Sequence, residues 1–143
     1  MNFVLPYPIS ANRYWRTYLP KGHRVPVTTV SKEAIEYKRA VQWIVTSAGI
    51  HRPTDDLVAV DFALYPKRPK DWAKRMRKDP KDWHRTVQCI DLDNAQKVML
   101  DALKGFVFTD DDQVFFICGK RCAPDEKGPR IEVVVRRYSD ETA

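Results

Sequence analysis

Apolar positions recur along this chain with two different periods, and the switches between them mark out its elements. Between Leu57 and Tyr65, the residues Val58, Val60, Phe62 and Leu64 alternate with smaller or polar ones, which puts them on one face of a strand. From Ser31 to Gly49 the spacing becomes helical through Ala34, Tyr37, Val41, Ile44, Val45 and Ala48. Ser31 stands where a cap is needed, Glu33 falls in the first turn, and Gly49 is placed to end the helix. The most regular stripe is Ala95, Val98, Met99, Ala102 and Leu103, a full core face; Gly105 ends this second helix, and Asp93 or Asn94 is its natural N-cap. Val114 to Cys118 is a continuous apolar run and Ile131 to Arg137 alternates. The polar, turn-rich stretch from Gly119 to Gly128 predicts that these two strands pair as a hairpin. Phe3 to Leu5 reads as a short first strand ending at Pro6 and Pro8. From there to Val30 the chain reads as loop, interrupted by Pro20, Gly22 and Pro26. The pattern predicts an α+β fold, a small mixed sheet carrying two main helices, with residues 1–143 forming one domain. Pro66, Pro69 and Pro80 mark residues 66–85 as an excursion from the sheet, with room for a short helix near Trp72 to Lys78.

A chain of 143 residues supports one hydrophobic core but not two. No apolar run approaches the roughly 20 residues of a membrane span. The N-terminal Met1-Asn2-Phe3-Val4-Leu5-Pro6 lacks the basic and long apolar regions of a secretory signal. A cytoplasmic location is expected, in a bacterium or, for a phage-encoded protein, in its bacterial host. Cys89, Cys118 and Cys122 cannot all pair with one another and are expected as free thiols. A zinc site combining them with His84 would rest on a weak spacing pattern.

Charge changes the picture. The chain carries 25 Lys and Arg against 19 Asp and Glu. Between Lys67 and Arg85 alone lie nine cations and three acids, an excess equal to the whole net charge of +6. Trp72 and Trp83 sit within this run and offer flat faces for bases beside cations for phosphates. Lys74, Arg75, Arg77, Lys78 and Arg85 are its candidate DNA contacts.

Against that basic background, acids gather at two points. Asp91 and Asp93 flank the start of the second helix, Lys97 follows one turn later, and Asp110-Asp111-Asp112 precedes the strand at Val114. Mg2+ takes oxygen ligands from a few converging carboxylates and keeps several waters. Such carboxylates can hold one or two ions that polarise a phosphodiester and activate a water. Lys97 is placed to neutralise charge developing on the phosphorus centre. The structural alternative is that Asp93 caps the helix, Lys97 pairs with it, and the acidic triplet forms a turn.

Taken in order, Asp91-Leu92-Asp93-Asn94-Ala95-Gln96-Lys97, Asp101-Ala102-Leu103, Gly105-Phe106 and Asp110-Asp111-Asp112-Gln113-Val114 resemble the RusA family of Holliday junction resolvases. The opening Leu5-Pro6-Tyr7-Pro8-Ile9-Ser10-Ala11-Asn12-Arg13-Tyr14-Trp15 is similar to the family's start and adds Arg13 to the candidate DNA contacts. The resemblance implies a RusA-like homodimer that cuts four-way DNA junctions with Mg2+, Mn2+ being a possible substitute. It also implies catalytic and metal-binding roles for Asp91, Asp93 and Asp111, with Lys97 as the active-site lysine. Asp110 or Asp112 remains open as a further ligand, although aligning Gln113-Val114 selects Asp111.

Two departures bear on substrate choice. Ile90 stands where members often carry a basic residue or proline, and Arg85 is the candidate replacement for that phosphate contact. The basic excursion is also longer than the corresponding family loop. The expected function is therefore a structure-selective endodeoxyribonuclease that resolves junctions by paired symmetric nicks in recombination and repair. A fork or flap nuclease and a non-catalytic DNA-binding protein are the alternatives. Trp15, Trp43 and the Val114 to Cys118 strand are candidate dimer-interface material, although core packing explains that strand equally well.

Overall fold

Strand β4 (Val58–Tyr65) forms the middle of the molecule, because its alternating face and the fully buried Ala59 leave little of it in water. The computed structural model describes residues 1–139, so the last four residues of the expected domain lie outside it. One side of β4 pairs with β6 (Arg130–Arg137), antiparallel, and β6 pairs in turn with β1 (Asn2–Pro6). The other side pairs with β5 (Val114–Arg121), which runs parallel to it, giving the sheet order β1-β6-β4-β5.

This topology overturns the expected β5–β6 hairpin: β4 lies between those two strands. A parallel neighbour must return by a crossover. The stretch from Tyr65 to Val114 supplies it, through α3 (Trp72–Lys78), a 3-10 turn at Trp83–Thr86 and α4 (Leu92–Leu103). The strand–helix–strand order was present in the sequence, but the turn-rich linker after Gly119 gave the stronger local signal.

Helix α2 (Lys32–Ser47) starts as expected, with the Ser31 hydroxyl accepting the Ala34 N–H at 3.1 Å. Gly49 follows the helix at a φ of +89°, in the left-handed region that suits glycine. Its buried stripe is Ala34, Tyr37, Val41 and Val45, while Ala48 falls beyond the last turn and is exposed. The predicted stripe of α4 is wholly buried and packs with α2 against Phe3, Leu5, Val60, Phe62, Leu64, Ile131, Val133 and Val135.

The segment before Val30 holds more structure than its breakers predicted. A short helix α1 (Ala11–Tyr14) leads into a two-stranded antiparallel ribbon of β2 (Trp15–Tyr18) and β3 (Val27–Val30). Tyr14 anchors α1 by full burial, with its hydroxyl donating to the Asp101 carboxylate on α4, which also pairs with Lys38 at 3.1 Å. Asp101 of the Asp-Ala-Leu motif thus has a structural task.

Candidate active site and nucleic-acid interface

The first acidic point is built on the N-terminus of α4. Asp91, rather than Asp93 or Asn94, is the N-cap residue: its backbone is extended (φ −64°, ψ 147°) and its carbonyl receives the Ala95 N–H. Its carboxylate makes no cap hydrogen bond and is exposed. Asp93 lies in the first turn, where a negative charge is favoured by the helix dipole. Lys97, four residues on from Asp93, lies one turn along the same face. The side chains of Asp91, Asp93 and Lys97 are all exposed, and no ion pair joins Asp93 to Lys97. Neither expected structural use of Asp93 is made, so these charged groups remain available to solvent and substrate.

Asp91 and Asn94 open onto a cleft of about 960 Å³. One wall is Tyr7 to Ser10 with Arg13 of α1, and the other is the basic excursion, through Lys67, Arg68, Lys70 and Arg75. Several of these cations are engaged. Arg13 pairs with Glu33 at 2.6 Å, and Arg75 pairs with Asp71 at 2.9 Å and donates to the Thr86 carbonyl at 3.0 Å. Arg68 lies over the Trp72 ring at 4.0 Å and reaches Glu126 at 3.6 Å. Among the described residues Lys67 and Lys70 have no such partner. The cleft therefore offers free positive charge and a free carboxylate in its lining, a combination suited to a phosphodiester.

Tyr7 braces the approach to Asp91. Its phenolic oxygen accepts the Ile90 N–H at 2.7 Å, and its hydroxyl points to the Cys89 sulfur at 3.7 Å. Burial, offset in part by the Ile90 N–H, pushes the Tyr7 hydroxyl up to about 12. Arg121 of β5 holds the same segment by donating to the Val87 carbonyl at 2.6 Å.

The second acidic point lies elsewhere. Asp111 begins a 3-10 turn (Asp111–Gln113) whose N-cap is Asp110. The Gln113 side chain accepts the Asp110 N–H at 2.7 Å and donates to the carbonyls of Thr54 and Asp56. The Asp110 carboxyl beside it raises the pKa of Asp111, whereas that of Asp110 is lowered by the interaction with Asp111 and by Lys104, 3.4 Å away. Lys104 is the C-cap of α4, whereas Asp91 is its N-cap. At 1.5 Å rise per residue, about 20 Å of helix separates them. Among the described residues no three His, Cys, Asp or Glu side chains stand close enough to hold one metal ion. The zinc grouping of the cysteines with His84 is likewise not formed, and all three cysteines are free. One copy of the chain brings Asp91, Asp93 and Lys97 to one helix end and leaves Asp111 at the other, so it does not by itself fit Mg2+ with all three expected ligands.

The predicted DNA contacts divide. Arg13 and Arg75 line the cleft, whereas Lys74, Arg77, Lys78 and Arg85 are exposed outside its lining. Trp83 is buried and does not offer the stacking face expected of it, while the half-buried Trp72 has one face taken by Arg68. Sequence reasoning passed over Tyr7, Lys67, Lys70 and Asn94 as site residues. The signal was present in Leu-Pro-Tyr-Pro and in the Asn of Asp-Leu-Asp-Asn, but nothing local said that these meet.

Carboxylates on a helix end beside a basic cleft, in an α+β domain, define a protein built to meet a polyanion. The profile of the family Endodeoxyribonuclease RusA matches residues 6–136, and the chain belongs to the RusA family of endodeoxyribonucleases. It is similar to the uncharacterized protein YqaN of Bacillus subtilis (strain 168), at 31% identity over 104 residues covering 68% of this chain and 72% of that protein. Among the described residues no helix is long and apolar enough to cross a membrane.

Proposed function

We propose that this protein resolves four-way DNA junctions as a Mg2+-dependent homodimer, nicking two opposed strands symmetrically. The observation carrying the reading is the Asp91 carboxylate, without a partner among the described residues, in a cleft also lined by Lys67 and Lys70. Phosphate contacts supply sequence-independent affinity, as a junction binder needs. Asp93 and Lys97, on the exposed side of the same helix end, extend the charged surface that a scissile phosphate would meet.

The separation of Asp91 from Asp111 supports a dimer. A two-fold axis perpendicular to α4 would pair its unlike ends between copies. The reading assigns each active site to Asp91, Asp93 and Lys97 of one protomer together with Asp111 of the partner subunit. It assigns Mg2+ binding to the dimer rather than to a single copy. The same operator gives two sites for the two strands of a junction.

Labelled four-way junction, fork and linear duplex, each with and without Mg2+, test the proposal. Paired nicks on the junction alone, dependent on Mg2+ and lost in Asp91→Asn, Asp93→Asn and Asp111→Asn with binding retained, are the expected result. Fork or flap cleavage without junction cleavage would assign the other branched-DNA activity. Binding with no cleavage in any metal would leave a DNA-binding protein.

A further inference from the structure

The β2–β3 ribbon has no role in the site described above, yet its composition is unusual for a surface loop. The first 32 residues contain Arg13, Arg16, Lys21, Arg24 and Lys32 and no Asp or Glu. From Arg16 to Thr29 every residue except Pro20 is exposed, on both faces of the ribbon. A two-stranded hairpin in water is marginal by itself. Among the described residues this one is anchored at its base, where Trp15 and Val30 pack against the core, the Ser31 N–H donates to the Tyr14 carbonyl at 2.8 Å and the Ser31 hydroxyl to that of Arg13 at 2.6 Å.

One face of the ribbon presents Arg16, Tyr18, Val27 and Thr29, with the Arg16 guanidinium 4.9 Å from the centre of the Tyr18 ring. The turn beyond carries Leu19 and Val25, 60% and 72% exposed, beside Lys21 and Arg24. Large aliphatic groups in water cost free energy unless something covers them. Cations interleaved with them, and no acid in the same stretch of sequence, match a polyanion with an apolar interior exposed at its ends and breaks. A base-paired nucleic acid opened at a branch has those properties. The ribbon also starts two residues after Arg13, which lines the Asp91 cleft, so it grows from the rim of that cleft.

We propose that the β2–β3 ribbon is a second DNA-binding element, lying in the groove of a duplex arm through Arg16, Lys21 and Arg24 and seating Leu19 and Val25 against unstacked bases at the branch. A two-stranded ribbon fits the major groove. Apolar side chains wedged between base steps unstack them and kink the duplex. The inference rests on the DNA-junction reading for its ligand, but not on cleavage.

The test uses the full chain in EDTA, so strand cutting does not enter. The probe is a four-way junction carrying 2-aminopurine at the branch or, as a control, in mid-arm. Wild type is expected to raise fluorescence at the branch and not in mid-arm. Leu19→Ser with Val25→Ser should abolish that rise while keeping the dependence of affinity on salt. Arg16→Gln with Lys21→Gln and Arg24→Gln should instead flatten the plot of log affinity against log salt, by about 0.9 for each phosphate no longer neutralised. All five positions are exposed and outside the core, and an unchanged circular dichroism melt checks each variant. No branch signal with wild type, an undiminished signal in the Leu19/Val25 variant, or an unchanged salt slope in the cationic variant overturns the proposal. Conversion of a dimer to a monomer by either variant would overturn it too, because the ribbon would then be a contact between copies. Failure of the protein to cut any DNA would leave these readings intact and count only against the nuclease assignment.

Discussion

The phenolic oxygen of Tyr7 accepts the backbone N–H of Ile90 at 2.7 Å, one residue before the free carboxylate of Asp91. An 83-residue separation in sequence thus closes on the residue immediately before the N-cap of α4. A half-buried N–H left without an acceptor costs about 1–3 kcal/mol. Tyr7→Phe is therefore expected to lower stability by that order and to reduce kcat on junction DNA with little change in affinity. The hydroxyl is also raised to about 12. A raised tyrosine contributes fully below its unfolded value of about 10 and loses the contribution as pH rises towards 12. Urea midpoints between pH 9 and pH 12 should fall more steeply for wild type than for Tyr7→Phe; parallel curves would deny the hydroxyl this role.

Arg130 closes the loop between β5 and β6. Its guanidinium takes both Asp125 carboxylate oxygens at 2.7 and 2.9 Å, reaches Glu132 at 3.1 Å and lies 3.9 Å over the Tyr65 ring. The Arg130 guanidinium pulls the Asp125 carboxyl down to about 2. A depressed carboxyl contributes stability above its unfolded value of about 3.9 and loses it as pH falls towards 2. Asp125→Asn should lower Tm by a few degrees at pH 7 and flatten the acid limb between pH 4 and pH 2. An acid limb identical to that of wild type would show that the pair does not feed into folding.

Gly119 of β5 lies opposite Phe62 of β4, and a methyl group there would sit 2.2 Å from the ring's Cζ. Phe62 is almost fully buried, so its ring has little room to withdraw. Gly119→Ala is expected to cost about 1–3 kcal/mol in chemical denaturation. Adding Phe62→Leu should recover part of that loss, and purely additive effects would rule out the contact as the cause.

Elements with a single strong period were legible from the sequence. The α4 stripe from Ala95 to Leu103 and the alternation from Val58 to Leu64 gave both face and extent, and Ser31 gave a helix start. What failed was pairing. Nothing local tells Val114 to lie beside Val58 rather than Ile131, because partner choice depends on which strand is buried on both sides. The β2–β3 ribbon was missed because Pro20, Gly22 and Pro26 belong to its turn, while Thr17 and Thr28 carry its pairing. For the candidate site, the motif put forward Asp91, Asp93, Lys97 and Asp111, but helix length rather than spacing decides that Asp111 stands at the far end of α4. That Tyr7 and Lys67 meet at one cleft was illegible, because they reach it only through tertiary packing.

The basic excursion divides into two populations with different expected effects. Lys67 and Lys70 line the cleft without partners among the described residues, whereas Lys74, Arg77 and Lys78 are exposed outside it. Replacing either set with Gln should flatten the salt dependence of binding by about 0.9 for each duplex phosphate that the protein no longer neutralises. Only the Lys67/Lys70 pair should also lower the single-turnover cleavage rate at saturating protein, because in the proposed site those two share the cleft in which the scissile strand would reach Asp91. Equal rates for both sets would move the scissile strand out of this cleft.

If the active site is completed by a partner subunit, two inactive variants should complement. Mixing Asp91→Asn with Asp111→Asn gives heterodimers in which one site has neither carboxylate. The other keeps Asp91 from one chain and Asp111 from its partner. A site confined to one chain would instead be broken in both halves of every heterodimer. The expected outcome is that each variant alone is inactive and that the mixture nicks one strand of a junction without the paired second cut. The statistical share of heterodimer on free exchange is about one half for a two-fold assembly. Recovery of nicking after subunit exchange, and none when the Asp91→Asn chain also carries Asp111→Asn, would establish shared sites. A mixture as inactive as its components, with exchange verified by mass spectrometry of the dimers, would return all three aspartates to a single chain and require α4 or the Asp110–Gln113 turn to move when DNA binds.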